Sequence, residues 1–310
     1  SMAPAGSPGG DIGATLAHPG SIQGRVMGIT VAIMAQGTMG AGVGRRLGER
    51  GATVRTLLSG RSEASAGRAR AAGMQPVADE RELLDGADYL LSILPPDQAE
   101  GLASRLASAL QSLPVKPVYV DCNAVSPQTA ARIAAIVEPT GAAFVDGGII
   151  GGPPRQGYSP AIYASGPQAE RTRPIAEYGI DWRIIEGPIG AASGLKMSYA
   201  GITKGTTAIA AAMLLGAARF GCAEALVAEL SSSQPEMLAR MKKSIPGMYD
   251  KAYRWVGEME EISDFLDANA PSAEMYRGIA RLYQFLAAAE AEDRPADDNA
   301  IKTLDRVLGH

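Results

Sequence analysis

Apolar residues in the first half of the chain fall in short runs separated by glycine, proline and polar turns. The first run, residues 27–34, carries Ile29, Thr30, Val31 and Ile33, a β-branched pattern that predicts a buried strand. It passes through Ala35-Gln36-Gly37-Thr38-Met39-Gly40 into small residues with Arg45 and Arg46 late in the stretch, which predicts a glycine turn and then a helix. The alternation recurs, with strands at 52–58, 74–77, 87–94, 118–121 and 143–146 and helical stretches at 64–73, 79–84, 98–113 and 128–137. Pro95 and Pro96 stop the fourth strand, while Asp97 and Ser126 stand where helix caps belong. Strands and helices in this order predict a doubly wound parallel sheet, with a ligand crevice at the carboxyl ends of its strands.

Two more short strands, 161–164 and 182–186, flank a polar helix, and the texture changes near Pro188. Residues 190–221 are Ala, Gly, Thr and Leu with charge only at Lys196, Lys204 and Arg219. Small residues on all sides predict one long interdomain helix buried on every face. Residues 223–308 stay helical in pattern. A stretch as apolar as 205–218 exceeds what the rest of one chain can cover, so a homodimer is expected.

The 310 residues, 46% hydrophobic and 20% charged, suffice for two cored domains. A net charge of −4 with no basic block gives no footprint for nucleic acid. No apolar run is read as reaching the ~20 residues of a membrane span. A small-molecule substrate is the expected partner. Cys122 and Cys222 lie far apart without ligand spacing, so no metal site is expected, and His18 and His310 sit in the tails. Proton chemistry therefore falls to Lys, Tyr, Asp or Glu. Residues 1–24, rich in Gly, Pro, Ser and Ala, read as a flexible tail without the basic and apolar regions of a signal peptide, and a cytoplasmic location is expected.

The turn at 35–40 has the form A-x-G-x-x-G. Gly37 would let backbone approach a phosphate and Gly40 would let helix pack on strand, with the first N–H groups at Thr38 and Met39. Glycine-rich turns occur in other α/β proteins, so context decides. Roughly 20 residues past such a turn, NAD enzymes place an acidic residue on the ribose. None stands at 51–62; Arg61, flanked by Ser59 and Ser62, is placed to hold a 2′-phosphate, with Arg68 or Arg70 in support. NADP is thus the expected cofactor. The chain divides into the tail, an NADP-binding Rossmann domain at 25–188 and an all-helical substrate and dimerisation domain at 189–310. Near the start of the long helix, Lys196 is costly to bury unless it is ion-paired or functional. Helical spacing sets Tyr199, Ala200 and Thr203 on its stripe and Lys204 about 80° away.

Four segments together resemble the β-hydroxyacid dehydrogenases, which include 6-phosphogluconate and 3-hydroxyisobutyrate dehydrogenases. Residues 35–40 are similar to that family's GLGxMG turn, and Ser92-Ile93-Leu94-Pro95 to its apolar-Leu-Pro loop. Residues 146–152 resemble its Asp-x-x-x-x-Gly-Gly substrate loop, and residues 190–196 its G-x-G-x-x-x-K helix start. The resemblance implies an oxidoreductase passing hydride between the nicotinamide and a carbonyl or hydroxyl carbon. It implies Lys196 as general acid/base, which suits a buried lysine because burial favours the neutral amine. It further implies Asn123 and Tyr199 in catalysis, and Gly147, Gly148, Ile149 and Thr203 at the substrate. Leu94, Pro95, Pro96 and Asn123 would join Gly37, Thr38, Met39, Gly40, Ser59, Arg61 and Ser62 around the cofactor. The chain departs from the family at Ala35, at Tyr199 and Ala200, and at Ile150, where an acid-binding Ser is usual; Arg254 is the candidate for the late cofactor lysine. A larger, less polar substrate is expected. The alternatives are an imine reductase, whose catalytic position usually carries Asp or Tyr, and an NADP-binding regulator without turnover.

Overall fold

The computed structural model describes residues 28–34, 37–266, 270–291 and 299–309. The expected tail and the turn residues Ala35 and Gln36 lie outside the described residues. Strands β1 (Thr30–Met34), β2 (Thr53–Leu57), β3 (Gln75–Val77), β4 (Tyr89–Ser92), β5 (Val118–Asp121), β6 (Phe144–Ile150), β7 (Ala161–Ser165) and β8 (Asp181–Ile184) form one sheet in the order β3-β2-β1-β4-β5-β6-β7-β8. Between the strands run α1 (Thr38–Glu49), α2 (Glu63–Ala71), α3 (Glu80–Leu84), α4 (Ala99–Ser112) and α5 (Pro127–Val137).

Helices cover both faces, which is why the central strands are buried along nearly their whole length rather than at alternate positions. In β1, Val31 and Ile33 enter one core with Val43, Leu47 and Val145, and Ala32 and Met34 enter the other with Leu90, Leu106 and Phe144. The doubly wound parallel sheet is present as expected, with one reversed strand: β7 runs antiparallel to β6, with Gly148 opposite Tyr163. The link at 151–160 holds no helix, and a parallel return needs a crossover of roughly a dozen residues or more. That link is tied down by Arg46 of α1, which donates to the carbonyls of Arg155 (2.8 Å), Tyr158 (3.2 Å) and Gly179 (3.2 Å).

The long run folds as α6 (Ala191–Arg219), and α7 (Ala223–Ser233), α8 (Pro235–Ser244), α9 (Ala252–Phe265), α10 (Ala270–Ala291) and α11 (Ala300–Leu308) follow. Met197, Ala208, Ala211 and Leu214 of α6 form a third core with Met259, Ile262, Tyr283 and Leu304. Burial on every face, as expected for α6, does not hold within one chain. Tyr199, Ile202, Ile209 and Met213 point outward, 51 to 68% exposed, because the later helices cover one side only. By length and composition α6 is also apolar enough to cross a membrane, which the run-by-run reading missed.

Asp146 joins the sheet to α6. Its buried Oδ2 accepts the backbone N–H groups of Gly190 and Ser193, each at 3.0 Å, and the Ser165 hydroxyl at 3.0 Å; its Oδ1 accepts the Ser193 hydroxyl at 2.5 Å. A carboxylate on the first N–H groups of a helix satisfies orphan donors and complements the dipole. Gly147 and Gly148 make the close approach possible. A Cβ at Gly148 would stand 2.7 Å from the Ala192 carbonyl oxygen, and one at Gly147 would stand 2.8 Å from that of Asp121. Expected as substrate contacts, both glycines prove to be packing positions.

Candidate active site

At the carboxyl end of β1, α1 begins with Gly37 as its cap residue, no side-chain cap and no acidic residue in its first turn. Nothing stands within 4 Å of a Cβ built on Gly37, so this backbone faces open space. Thr38, Met39 and Gly40 form the first turn, with Met39 packed on the sheet core and Gly40 buried. Beside it a cleft of about 590 Å³ is lined by Met34, Leu57, Ser59, Arg61, Leu94 and Arg105, among others. Burial and the neighbouring Arg105 guanidinium both lower the Arg61 pKa from its ordinary value. Two guanidinium groups on one cleft make an anion site.

Support for Arg61 comes from a different place than expected. Arg70 pairs with Glu63, Arg68 donates to the Ser65 hydroxyl at 2.8 Å, and Ser62 caps α2 through the N–H of Ser65 at 3.3 Å. Arg105 reaches the cleft from α4, steadied by Glu80 at 2.7 Å. No local pattern marks it, since it lies on another helix. Pro95 and Pro96 open a 3₁₀ turn (Pro96–Gln98) just beyond Leu94.

The carboxyl edge of the sheet is continuous from there to α6. Leu94 donates its N–H to the Asn123 carboxamide oxygen, and the Asn123 Nδ2 donates to the Ser92 hydroxyl at 2.8 Å and to Asp121. Buried to 2% exposure, Asn123 has its carboxamide committed to the fold. It braces two loops and is corrected from a catalytic and cofactor contact to a positioning group.

Lys196 lies one turn past the Asp146 anchor, on the side of α6 that faces β6. Its Nζ donates to the Ile149 carbonyl at 2.6 Å and stands 4.0 Å from Glu258 Oε1. Lys204 bonds the other oxygen of the same carboxylate, with its Nζ 5.0 Å from the Trp255 ring centroid. Burial lowers the Lys204 pKa, against the opposing pull of Glu258. Burial alone would raise the Glu258 carboxyl, but Lys204 and Lys196 outweigh it and hold it below its ordinary value. Tyr199 and Thr203 turn away. Tyr199 is 53% exposed, and the Thr203 hydroxyl donates to the Tyr199 carbonyl at 2.9 Å, so neither stands with the amine as expected.

Residues 30–177 match the NAD binding domain of 6-phosphogluconate dehydrogenase, and residues 217–286 match a domain of unknown function (DUF1932). The chain is 28% identical to an uncharacterized 28.5 kDa protein of Methanothermus fervidus over 214 residues, 69% of this chain and 81% of that protein. The conserved protein MTH1747, whose solved structure is described as similar to 3-hydroxyacid dehydrogenases, superposes with a TM-score of 0.66 at 28% identity, over 85% of this chain and 100% of its own. Together these comparisons support a β-hydroxyacid dehydrogenase-like family with a divergent C-terminal domain. A Mycobacterium tuberculosis 3-hydroxyisobutyrate dehydrogenase shares the fold, with a TM-score of 0.68 at 20% identity over 91% of this chain and 99% of its own.

Beside Lys196, Glu258 is the residue that sequence reasoning passed over. It was legible, because Trp255, Glu258, Met259 and Ile262 share one helical stripe and only Glu258 on it is charged. Behind the site, Asp121 is fully buried with no partner for Oδ2 among the described residues. Burial first, and the Asp146 carboxylate second, push its pKa up to about 7 from 3.8. A carboxyl raised in the folded state stabilises the fold while protonated and loses that contribution as pH climbs from about 4 through about 7. Asp121→Asn, which keeps the acceptor for Asn123, is therefore expected to exceed the parent in stability by ~2 kcal/mol or more near pH 8 and to match it near pH 4. Denaturant melts at the two pH values check this; an equal offset at both refutes it.

Proposed function

We propose that the chain is an NADP-dependent oxidoreductase acting on a carbonyl or hydroxyl carbon, with Lys196 as general acid/base. The carrying observation is the place of its amine: at the carboxyl end of β6, bonded to the Ile149 carbonyl and largely screened from water. The uncapped start of α1 and the cleft with Arg61 and Arg105 fit a pyrophosphate and a 2′-phosphate. When bound, NADP(H) supplies or takes the hydride. In oxidation the neutral Lys196 amine accepts the hydroxyl proton, and in reduction its ammonium returns one to the carbonyl oxygen. Asn123 and Asp146 hold the two sides of the edge in place. Ile150, where the family's acid-binding Ser is usual, favours a substrate larger and less polar than 3-hydroxyisobutyrate.

The outward stripe Tyr199, Ile202, Ile209 and Met213 supports a homodimer in which a second copy covers α6. Ile209→Arg is expected to give a monomer by light scattering; an unchanged mass places the contact elsewhere.

Two measurements test the chemistry. Lys196→Ala is expected to bind NADPH, read by its fluorescence, and to lose at least ~100-fold in kcat on a panel of carbonyl and imine substrates, the lower bound for a lost acid/base group. Turnover retained by this variant excludes Lys196, and selective turnover of imines shifts the reading to imine reduction. Arg61→Ala and Arg105→Ala are each expected to raise KM for NADPH and not for NADH, by ~1.5–3 kcal/mol per lost charge-assisted contact. Equal effects on both cofactors refute the NADP assignment.

A further inference from the structure

One carboxylate from the divergent helical domain stands between the two lysines of α6. Glu258 keeps Oε1 4.0 Å from Lys196 Nζ and bonds Lys204 through Oε2, with all three side chains 10 to 20% exposed. Two ammonium groups sharing one carboxylate compete for it, and low local dielectric strengthens the competition. The arrangement is braced from several directions. Three residues along α9, Glu261 accepts the Ser126 N–H at 2.6 Å and the Thr129 hydroxyl at 3.0 Å at the start of α5, and Gln128 donates to the Asp264 carbonyl at 2.9 Å. Tyr283 of α10 donates to the Lys204 carbonyl at 2.6 Å and packs edge-on against Trp255, 5.2 Å between centroids. These contacts fix α9 against both the sheet domain and α6, so the carboxylate is presented by rigid elements.

We propose that Glu258 is a positioning residue for Lys196: it clamps the amine at the carboxyl end of β6 and governs how firmly that amine holds its proton, with Lys204 as the competing cation. The role builds on the reading of Lys196 as the proton carrier. The other groups around the amine are few. Arg254 approaches Glu258 and Lys204 from α9, Cys122 faces Lys196 from the end of β5, and Tyr283 meets Glu258 from α10. β6 contributes the neutral Ile149 carbonyl, since Asp146 has its carboxylate on the start of α6. Among the described residues Glu258 is therefore the carboxylate paired with Lys196, and its loss leaves Lys204 and Arg254 as the nearby charges. Loss of Lys204 does the reverse, handing the whole carboxylate to Lys196.

The test needs no turnover. Acylation of Lys196 by acetic anhydride, followed by peptide mass spectrometry across pH, reports the midpoint at which the amine becomes neutral. Glu258→Gln is expected to lower that midpoint by about one unit, roughly a tenfold rise in labelling rate at a fixed pH below it, and Lys204→Met to raise it by a similar amount. Glu258→Asp, which keeps the charge, stays closer to the parent than Glu258→Gln does. The pH–rate profile of oxidation should move in the same opposed directions, which a purely structural role would not produce. Coincident labelling midpoints in variants that keep the parent circular dichroism overturn the proposal. Opposed midpoints, in a parent protein that turns over none of the carbonyl and imine panel, overturn the catalytic reading while the clamp stands.

Discussion

A single buried carboxylate decides where the long helix α6 meets the sheet. Asp146 accepts four hydrogen bonds, two from the first N–H groups of α6, one from Ser193 and one from Ser165 on the neighbouring strand. A carboxyl group at that depth is tolerable because the donors around it point inward and it sits at the start of a helix. Those bonds set the axial position of α6 on β6, and Lys196 reaches the Ile149 carbonyl as a consequence. Gly148 makes the geometry sterically possible, because any side chain there would strike the Ala192 carbonyl.

The two ends of the candidate site solve opposite electrostatic problems. Around Arg61 and Arg105 the cleft brings two guanidinium groups together with Glu80, paired to Arg105, and Asp97 on the same lining. Around Lys196 a single carboxylate, Glu258, is shared with Lys204 inside the fold, so the amine is neither fully solvated nor isolated. Under the proposed function, the first end would hold the dinucleotide and the second the proton carrier, along one sheet edge.

Much of this was readable in the chain. Strands covered on both faces write themselves as unbroken apolar runs, and a lysine in a stretch of Ala and Gly announces itself. The direction of β7 was not written in the apolar pattern, which is the same for either sense of a strand. Arg105 was hidden because it meets Arg61 from a different helix, and no local spacing encodes that meeting. Tyr199 shows the limit of helical periodicity. It lies about 60° to one side of Lys196 and Lys204 about 80° to the other, and periodicity alone does not say which side the later helices cover. They cover the side of Lys204.

The reversal of β7 has its own consequence. Because β7 runs back along β6, the hairpin at 151–160 rises at the carboxyl edge itself, directly after the strand that ends beside Lys196. Arg46 holds this hairpin from the far half of α1, the helix whose opening turn faces the phosphate end. One rod thus reaches the carboxyl end of β1 with its tip and the hairpin at 151–160 with its shaft. The distance between those two loops is therefore set by a rigid helix rather than by either loop.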